Sequence, residues 1–147
     1  MSKRLKWNAE EILAFLTVEF PQAFDDPGKY VIEHLDETSI TVRQRTDAAH
    51  LRPGGTVSGP TLMELVDVAA YFMLLALHGE AARLCVTTNL QISFLRKPRA
   101  GDLCCRVDLL KHGRVLSVID CRIASGDGRL VAHAQTTYHM SPDITWA

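Results

Sequence analysis

One run of the sequence, PTLMELVDVAAYFMLLAL at residues 60–77, limits what this chain can fold into. The run predicts a helix, and apolar side chains occupy almost the whole circumference of that helix. Such a helix has to be buried, either by a sheet that wraps around it or by a second subunit. Its apolar part from Val66 to Leu77 contains Asp67 and is too short to cross a bilayer, so we expect no membrane contact.

The segments on either side of this helix predict six strands and one further helix. Asn8 and Glu11 have capping-box spacing and precede an apolar stripe, which predicts a first helix over about residues 9–19. Two strands are expected before the long helix and four after it, at residues 30–35, 39–45, 86–96, 102–111, 114–124 and 129–139. Consecutive strands without intervening helices predict an antiparallel α+β fold.

Composition and charge exclude several classes of protein. The apolar fraction of 47% and the charged fraction of 22% are typical of a globular domain, and we expect one domain over residues 1–147. A formal net charge of −1 provides no basic field, so nucleic acid is not an expected partner. The N-terminal stretch has no apolar segment as long as a secretory signal requires, and we expect a cytoplasmic protein.

The cysteines and histidines predict neither a metal site nor a disulfide framework. The four cysteines lie in apolar, strand-like runs without C-x-x-C spacing, and the six histidines include no H-x-x-x-H pair. No serine lies in a G-x-S-x-G motif, so a serine hydrolase triad is not indicated. We therefore expect no metal and no resident cofactor.

Asp67 is the residue whose position most needs an explanation. A lone carboxylate on a buried helix is costly unless it is paired, hydrogen-bonded or protonated. Glu64, Asp67 and Tyr71 are spaced i, i+3 and i+7 and so share one helical face. Two interpretations remain open, because this face is either a narrow edge in contact with solvent or one wall of a pocket.

The loop HLRPGGTVSGP at residues 50–60 leads into the helix. Free N–H groups at a helix start can hold an anion or a developing oxyanion, and Gly55 and Gly59 would let a substrate carbonyl approach the backbone. Glu64 has a simpler interpretation as the last residue of a capping box that begins at Thr61, or as a first-turn residue behind Pro60.

Four segments carry a resemblance to a known family: GGTVSGPTLMELVD, TTNLQISFLRKPRAGD, GRVL and DGRLVAHAQTTY. Together they resemble the hotdog-fold acyl-CoA thioesterases of the phenylacetate-degradation (PaaI-like) group. The similarity covers roughly residues 30–140, and residues 1–25 would be an N-terminal helical extension. The resemblance implies an antiparallel sheet wrapped around the long helix.

The same resemblance assigns roles to residues around the helix start. The family has a His-Gly-Gly triplet where this chain has Ser58-Gly59-Pro60, and its catalytic acidic residue, nine positions after the histidine, matches Asp67. The family's frequent asparagine falls on Arg52. The resemblance implies that Asp67 attacks the thioester or activates water, while the Gly59 N–H polarises the carbonyl. Ser58, at the position of the family's histidine, is expected to belong to the same catalytic group.

Thr87 matches a hydroxyl residue that helps to hold the water in related enzymes. By strand alternation, we expect Thr87 on the polar face, opposite Leu90, Ile92 and Phe94. The residues expected to bind the acyl-CoA substrate, of which coenzyme A is a part, are Arg52, Gly55, Glu64, Tyr71, Arg96, Lys97, Arg99 and Arg114. The basic residues among them lie near strand ends, where they either bind the nucleotide phosphates or are simply solvated.

The resemblance also implies a homo-oligomer, a dimer or a dimer of dimers, with active sites between subunits. Two alternatives to a thioesterase stay open. The substitutions at Ser58, Pro60 and Arg52 are compatible with a module that binds acyl-CoA without turnover. A hotdog hydratase or dehydratase is less favoured, because the first histidine after Asp67 is His78, eleven residues on.

Overall fold

A computed structural model describes residues 4–146. It contains two α-helices, α1 at Ala9–Glu19 and α2 at Gly59–His78. The six strands are β1 at Tyr30–Leu35, β2 at Ser39–Gln44, β3 at Val86–Phe94, β4 at Leu103–His112, β5 at Leu116–Ser125 and β6 at Leu130–His139. Short 3₁₀ turns lie at Ala48–His50 and Gly79–Ala82. The helices and strands predicted from the sequence are confirmed, with ends that differ by at most two residues.

All six strands form one antiparallel sheet in the order β1-β2-β4-β5-β6-β3. The two strands that precede α2 therefore lie at one side of the sheet, and β3, the first strand after α2, forms the opposite edge. Helix α2 packs against β2, β3, β4, β5 and β6. The expected α+β arrangement, a sheet around a long central helix with an extra N-terminal helix, is confirmed.

Helix α1 begins with the capping box predicted from the sequence. The Asn8 side chain accepts a hydrogen bond from the Glu11 N–H at 2.9 Å, and the Glu11 carboxylate accepts one from the Asn8 N–H at 3.2 Å. Ile12 and Leu16 are the buried residues of this helix and belong to the core. The helix thereby packs on α2 through its apolar face.

Twelve residues of α2 are buried, which explains the apolar run in the sequence. One face of the helix stays partly uncovered in the single chain and consists of Met63, Glu64, Asp67, Val68 and Tyr71. Helix α2 with its following turn, Gly59–Ala82, is long and apolar enough to cross a membrane, but 67% of its most apolar window is buried inside the protein. It is therefore the core helix of the domain.

Strand β3 carries an irregularity that matters for the site. Thr87 pairs with Tyr138 of β6, but Asn89 pairs with Thr137, so Thr88 is an additional residue in the ladder. Because of this additional residue, the side chains before the bulge and those after it do not follow one continuous alternation between the two faces of the sheet. The other long edge of β3 has no strand partner within residues 4–146.

Candidate active site

The Asp67 carboxylate lies beside two hydroxyl groups of the sheet. Thr87 Oγ1 donates a hydrogen bond to Asp67 Oδ1. The Tyr138 hydroxyl lies 2.7 Å from the same Oδ1 and 2.8 Å from the backbone oxygen of Asp67. The carboxylate in the apolar helix is therefore satisfied by neutral donors from β3 and β6, and no lysine or arginine within residues 4–146 forms an ion pair with it.

The bulge at Thr88 gives Thr87 its orientation. Thr87 and Leu90 pair with Tyr138 and Thr136, two residues of β6 that both face the core. Thr87 therefore lies on the helix side together with Leu90. The prediction that Thr87 lies opposite the apolar face of its strand is wrong, because simple alternation does not hold across a bulge.

Tyr138 is a site residue to which the sequence analysis gave no role. Its side chain is 3% exposed, and its ring stacks in parallel on that of Tyr71, with centroids 6.4 Å apart. Burial raises the pKa of the Tyr138 hydroxyl, and the negative charge of Asp67 raises it further, so the group remains a proton donor. Tyr138 follows Ala134 and Thr136 on one face of its strand, and this alternation predicts that its side chain is buried. Because a buried tyrosine needs a partner for its hydroxyl, the sequence could have indicated Tyr138 as a site residue.

Tyr71 lies one helical turn beyond Asp67. Its hydroxyl donates to the backbone oxygen of Arg83 at 2.9 Å, and burial raises its pKa to about 12. The side chain lines a small depression together with Phe15 and Glu19 of α1 and with Phe20, which follows that helix. The N-terminal helix thus contributes to the surroundings of the Asp67 face.

Ser58 caps α2, and its side chain is directed to the helix start. Its Oγ lies 2.8 Å from Thr61 Oγ1 and accepts a weak hydrogen bond from the Thr61 N–H at 3.4 Å. Gly59 is therefore the first helical residue and Pro60 the second. Ser58 acts here as a helix cap, and the structure does not bring it to Asp67.

Glu64 is not part of a capping box, contrary to one interpretation of the sequence. Because the cap is Ser58, Glu64 lies in the second turn of α2. Its Oε1 accepts a hydrogen bond from the Tyr30 hydroxyl at 3.1 Å and lies 3.6 Å from Lys29 Nζ. Glu64 thereby ties α2 to Tyr30 at the start of β1.

The loop before α2 positions the backbone at the helix start. Gly54 and Gly55 have φ values of 99° and 79°, a region that side chains disfavour, and no atom lies within 4 Å of a Cβ built on either. The positive φ therefore favours glycine at position 55, and space is available beside its Cα atom. Within residues 4–146 the Gly59 N–H has no protein acceptor, as the first residue of a helix usually does not.

A cleft of about 530 Å³ opens at this helix start. It brings together Arg52, Gly59, Arg96 and Lys97, four of the residues expected to contact the substrate. Arg99 is adjacent, where it pairs with Thr56 of the loop. No acidic residue lines the cleft, so it is suited to an anionic ligand.

Arg114 is not part of this cluster in the single chain. It lies in the turn between β4 and β5, at the end of the sheet where Leu116 pairs with His139. Phe94 and Arg96 lie at the opposite end, where β3 meets the start of β6. Strands of about ten residues separate the two ends by roughly 30 Å.

Asp67 and the Gly59 N–H are also apart within one chain. Eight residues separate them on a continuous helix, which corresponds to about 12 Å along its axis. One chain therefore presents two half-sites, a carboxylate with its hydroxyl donors and a basic cleft at a helix start.

The histidines take no part in either half-site. His78, at the end of α2, lies with its Nε2 2.7 Å from His112 Nε2, and eleven residues of helix separate it from Asp67. Among the residues that the structure describes, no group of three or more His, Cys, Asp or Glu side chains is arranged to hold a metal ion.

A family model described as the thioesterase superfamily matches residues 54–132. No curated protein matches the sequence closely enough to count as a relative. Residues 54–132 include Asp67, Thr87 and the lining of the basic cleft apart from Arg52.

Three solved structures illustrate what the chain is similar to. A candidate thioesterase from a Silicibacter species is 40% identical, with 97% of each chain covered and a TM-score of 0.84. A candidate thioesterase from Ralstonia eutropha, related to phenylacetic acid degradation, is 32% identical over 76% of this chain and 84% of the other, with a TM-score of 0.71. A hypothetical thioesterase from Streptococcus pneumoniae, solved with coenzyme A, is 22% identical over 88% and 96%, with a TM-score of 0.74.

Proposed function

The chain belongs to the thioesterase superfamily, and on that premise we propose that it is a thioester hydrolase that cleaves a small aromatic or medium-chain acyl-CoA to the free acid and coenzyme A. The observation that carries the proposal is the Asp67 carboxylate, held by the Thr87 and Tyr138 hydroxyls on an otherwise buried helix. No lysine or arginine within residues 4–146 pairs with this carboxylate, and placing a charge on a largely buried helix without a cationic partner is costly for stability alone.

In the proposed reaction, Asp67 acts on the thioester carbonyl either directly or through water. As a general base it takes a proton from water while the water oxygen bonds to the carbonyl carbon. As a nucleophile it forms an acyl anhydride that water then hydrolyses. In both routes the Gly59 N–H stabilises the negative charge on the carbonyl oxygen, and the coenzyme A thiolate leaves and is protonated.

The basic cleft is the proposed site for the phosphates of coenzyme A. Arg52, Arg96 and Lys97 supply positive charge beside the helix start, where backbone N–H groups also favour anions. A coenzyme A complex of the similar pneumococcal protein supports a ligand of this class. Arg99 and Arg114 stay candidates for the same role.

We further propose that the complete site forms between two copies of the chain in a dimer or a dimer of dimers. The 12 Å between Asp67 and Gly59 supports this arrangement, because both cannot act on one carbonyl within a chain. The unpaired edge of β3 and the uncovered face around Asp67 provide surfaces for such pairing. A cytoplasmic location, without nucleic acid or membrane as partner, is part of the same proposal.

The direct test is a panel of acyl-CoA thioesters with a thiol-reactive readout of released coenzyme A. We expect turnover of at least one aromatic or medium-chain member, and a loss of about 100- to 10,000-fold in Asp67→Asn. The variant should keep the secondary structure and the oligomeric state of the wild type. Turnover unchanged in both Asp67→Asn and Asp67→Ala would refute the proposed mechanism.

A non-catalytic acyl-CoA-binding module is the second candidate. The observation that favours it is Ser58, whose hydroxyl caps the helix at the position of the family's histidine. In that case calorimetry detects coenzyme A or acyl-CoA binding, the whole panel remains uncleaved, and Arg96→Ala weakens binding. Arg106→Ala, an exposed arginine on β4 that pairs with Asp108, serves as the control.

A further inference from the structure

The two oxygens of the Asp67 carboxylate have different surroundings. Oδ1 receives the Thr87 hydroxyl and lies 2.7 Å from the Tyr138 hydroxyl. The single hydroxyl proton of Tyr138 is shared between Oδ1 and the Asp67 backbone oxygen, which lies 2.8 Å away, so both hydroxyl groups hold the carboxylate on its Oδ1 side. Oδ2 has no protein donor within residues 4–146.

Packing restrains Tyr138 in the position from which its hydroxyl contacts Asp67 Oδ1 and not Oδ2. Its residue is 3% exposed on β6, and its ring stacks on Tyr71 with an interplanar angle of 3°. The titratable groups facing its hydroxyl are Asp67 and Tyr71. The Thr87 and Tyr138 hydroxyls both contact Asp67 Oδ1, which links the three polar groups into one cluster.

We propose that Tyr138 is a positioning residue for Asp67, which fixes the carboxylate through Oδ1 and leaves Oδ2 as the oxygen that acts on water or on the thioester. The inference rests on the proposed function of Asp67. It adds a residue outside the helix and the glycine loop, and it assigns the reacting atom.

A second tyrosine shows what a purely structural role would look like. Tyr30 is 4% exposed, and its hydroxyl donates to Glu64 Oε1 at 3.1 Å, on the same helix and three residues before Asp67. Burial and the Glu64 charge raise the pKa of the Tyr30 hydroxyl, as burial and Asp67 do for Tyr138. Tyr30→Phe therefore removes a matched hydrogen bond at a helical carboxylate outside the proposed reaction.

The test compares Tyr138→Phe with Tyr30→Phe, using the acyl-CoA that the wild type cleaves best. Loss of a hydrogen bond to a charged group is expected to lower kcat about 10- to 100-fold in Tyr138→Phe, with KM nearly unchanged. The acidic limb of the pH profile of kcat should move to higher pH, because the carboxylate has lost a donor that favours its charged form. Tyr30→Phe should lose thermal stability and keep the wild-type profile.

Incorporation of 3-fluorotyrosine at position 138 covers the case in which Tyr138→Phe does not fold. The fluorinated ring keeps the shape of tyrosine and makes its hydroxyl a stronger donor, so the acidic limb should move to lower pH. An unshifted limb in both position-138 variants would overturn the inference. Asp67→Asn separates the two proposals, since an active Asp67→Asn contradicts the proposed function, whereas an inactive Asp67→Asn with an unshifted limb contradicts only the role of Tyr138.

Discussion

The ring of Phe94 packs directly on Gly59, and a Cβ atom built on this glycine would lie 3.3 Å from the ring's Cζ. The last residue of β3 therefore touches the first residue of α2, and both line the basic cleft. Phe94 is 52% exposed, so the contact is made with a ring that has room to rotate. The contact leaves little space for a side chain next to the Gly59 N–H.

Gly59→Ala should reduce activity far more than stability. The added methyl group crowds the space beside the proposed oxyanion donor, and we expect kcat/KM to fall about tenfold or more. The better helix propensity of alanine offsets the contact with Phe94, so the free energy of unfolding should change by no more than about 1 kcal/mol. Steady-state kinetics and urea unfolding measure the two effects.

Gly126→Ala is the control for this substitution. A Cβ on Gly126 would meet its nearest atom, the Asp102 backbone oxygen, at 3.9 Å, which is an ordinary contact. Activity should stay at the wild-type level in this variant. Equal activities of Gly59→Ala and Gly126→Ala would contradict a role for the space beside Gly59.

Thr87→Val should lower kcat/KM, because it removes one donor from Asp67 while keeping the shape of the side chain. The expected loss is about tenfold, and Thr87→Ser should recover most of the activity, since serine retains the hydroxyl. Thr88→Val is the neighbouring control, because the Thr88 hydroxyl donates to the Thr137 backbone oxygen at 3.2 Å and not to Asp67. If Thr88→Val and Thr87→Val lose activity equally, the effect comes from the bulge and not from the Thr87 hydroxyl.

The fold was predictable because its main signals are local. The apolar run of α2, the alternating strands and the Asn8–Glu11 capping box each depend on neighbouring residues, and the elements they predicted are present. The order of elements then indicated an antiparallel sheet, because no helix separates the last four strands.

The site was less predictable because it depends on register and pairing. The bulge at Thr88 places Thr87 on the helix side, and no residue pattern within β3 marks that bulge. The pairing of Tyr138 with Asp67 joins residues 71 positions apart. Arg114 and Arg96 lie at opposite ends of the sheet because of the direction of the strands that they follow or precede. The positions of the basic residues in the sequence do not reveal this separation.

The β1–β2 turn contains a carboxylate that should make stability depend on pH. Asp36 accepts hydrogen bonds from the N–H groups of Thr38 and Ser39 at 2.9 and 2.8 Å, and His34 Nε2 lies 2.8 Å from it. The Thr38 hydrogen bond, with those of His34 and Ser39, holds the Asp36 pKa well below its ordinary value. A carboxyl whose pKa is lower in the folded state stabilises the fold above its unfolded pKa, near 3.9, and loses this contribution as pH falls further.

Asp36→Asn should therefore be less stable than the wild type at pH 7, and the difference should shrink below pH 4. Because the side chain is 41% exposed, we expect only about 1 kcal/mol at neutral pH after solvent screening. Urea unfolding of both proteins at pH 7 and pH 3 measures the change. Glu37→Gln, in the same turn, is the control at pH 7, because no hydrogen bond or ion pair of Glu37 is present within residues 4–146 and its stability should match the wild type. If Asp36→Asn were less stable than the wild type by the same amount at pH 7 and pH 3, the proposed pH dependence would be contradicted.

Gln44 should be replaceable by an apolar residue with a gain in stability. It is 0% exposed at the end of β2, and neither its Oε1 nor its Nε2 has a hydrogen-bond partner in the part of the chain that the structure describes. An unsatisfied buried amide costs about 1–3 kcal/mol, so Gln44→Met, which nearly keeps the shape, should raise the free energy of unfolding by about 1 kcal/mol. Thr136→Val is the matched control, because this equally buried hydroxyl donates to the Asn89 backbone oxygen at 3.1 Å and its loss should destabilise. Urea unfolding in which Gln44→Met is destabilised as much as Thr136→Val would show that the Gln44 amide is satisfied in solution.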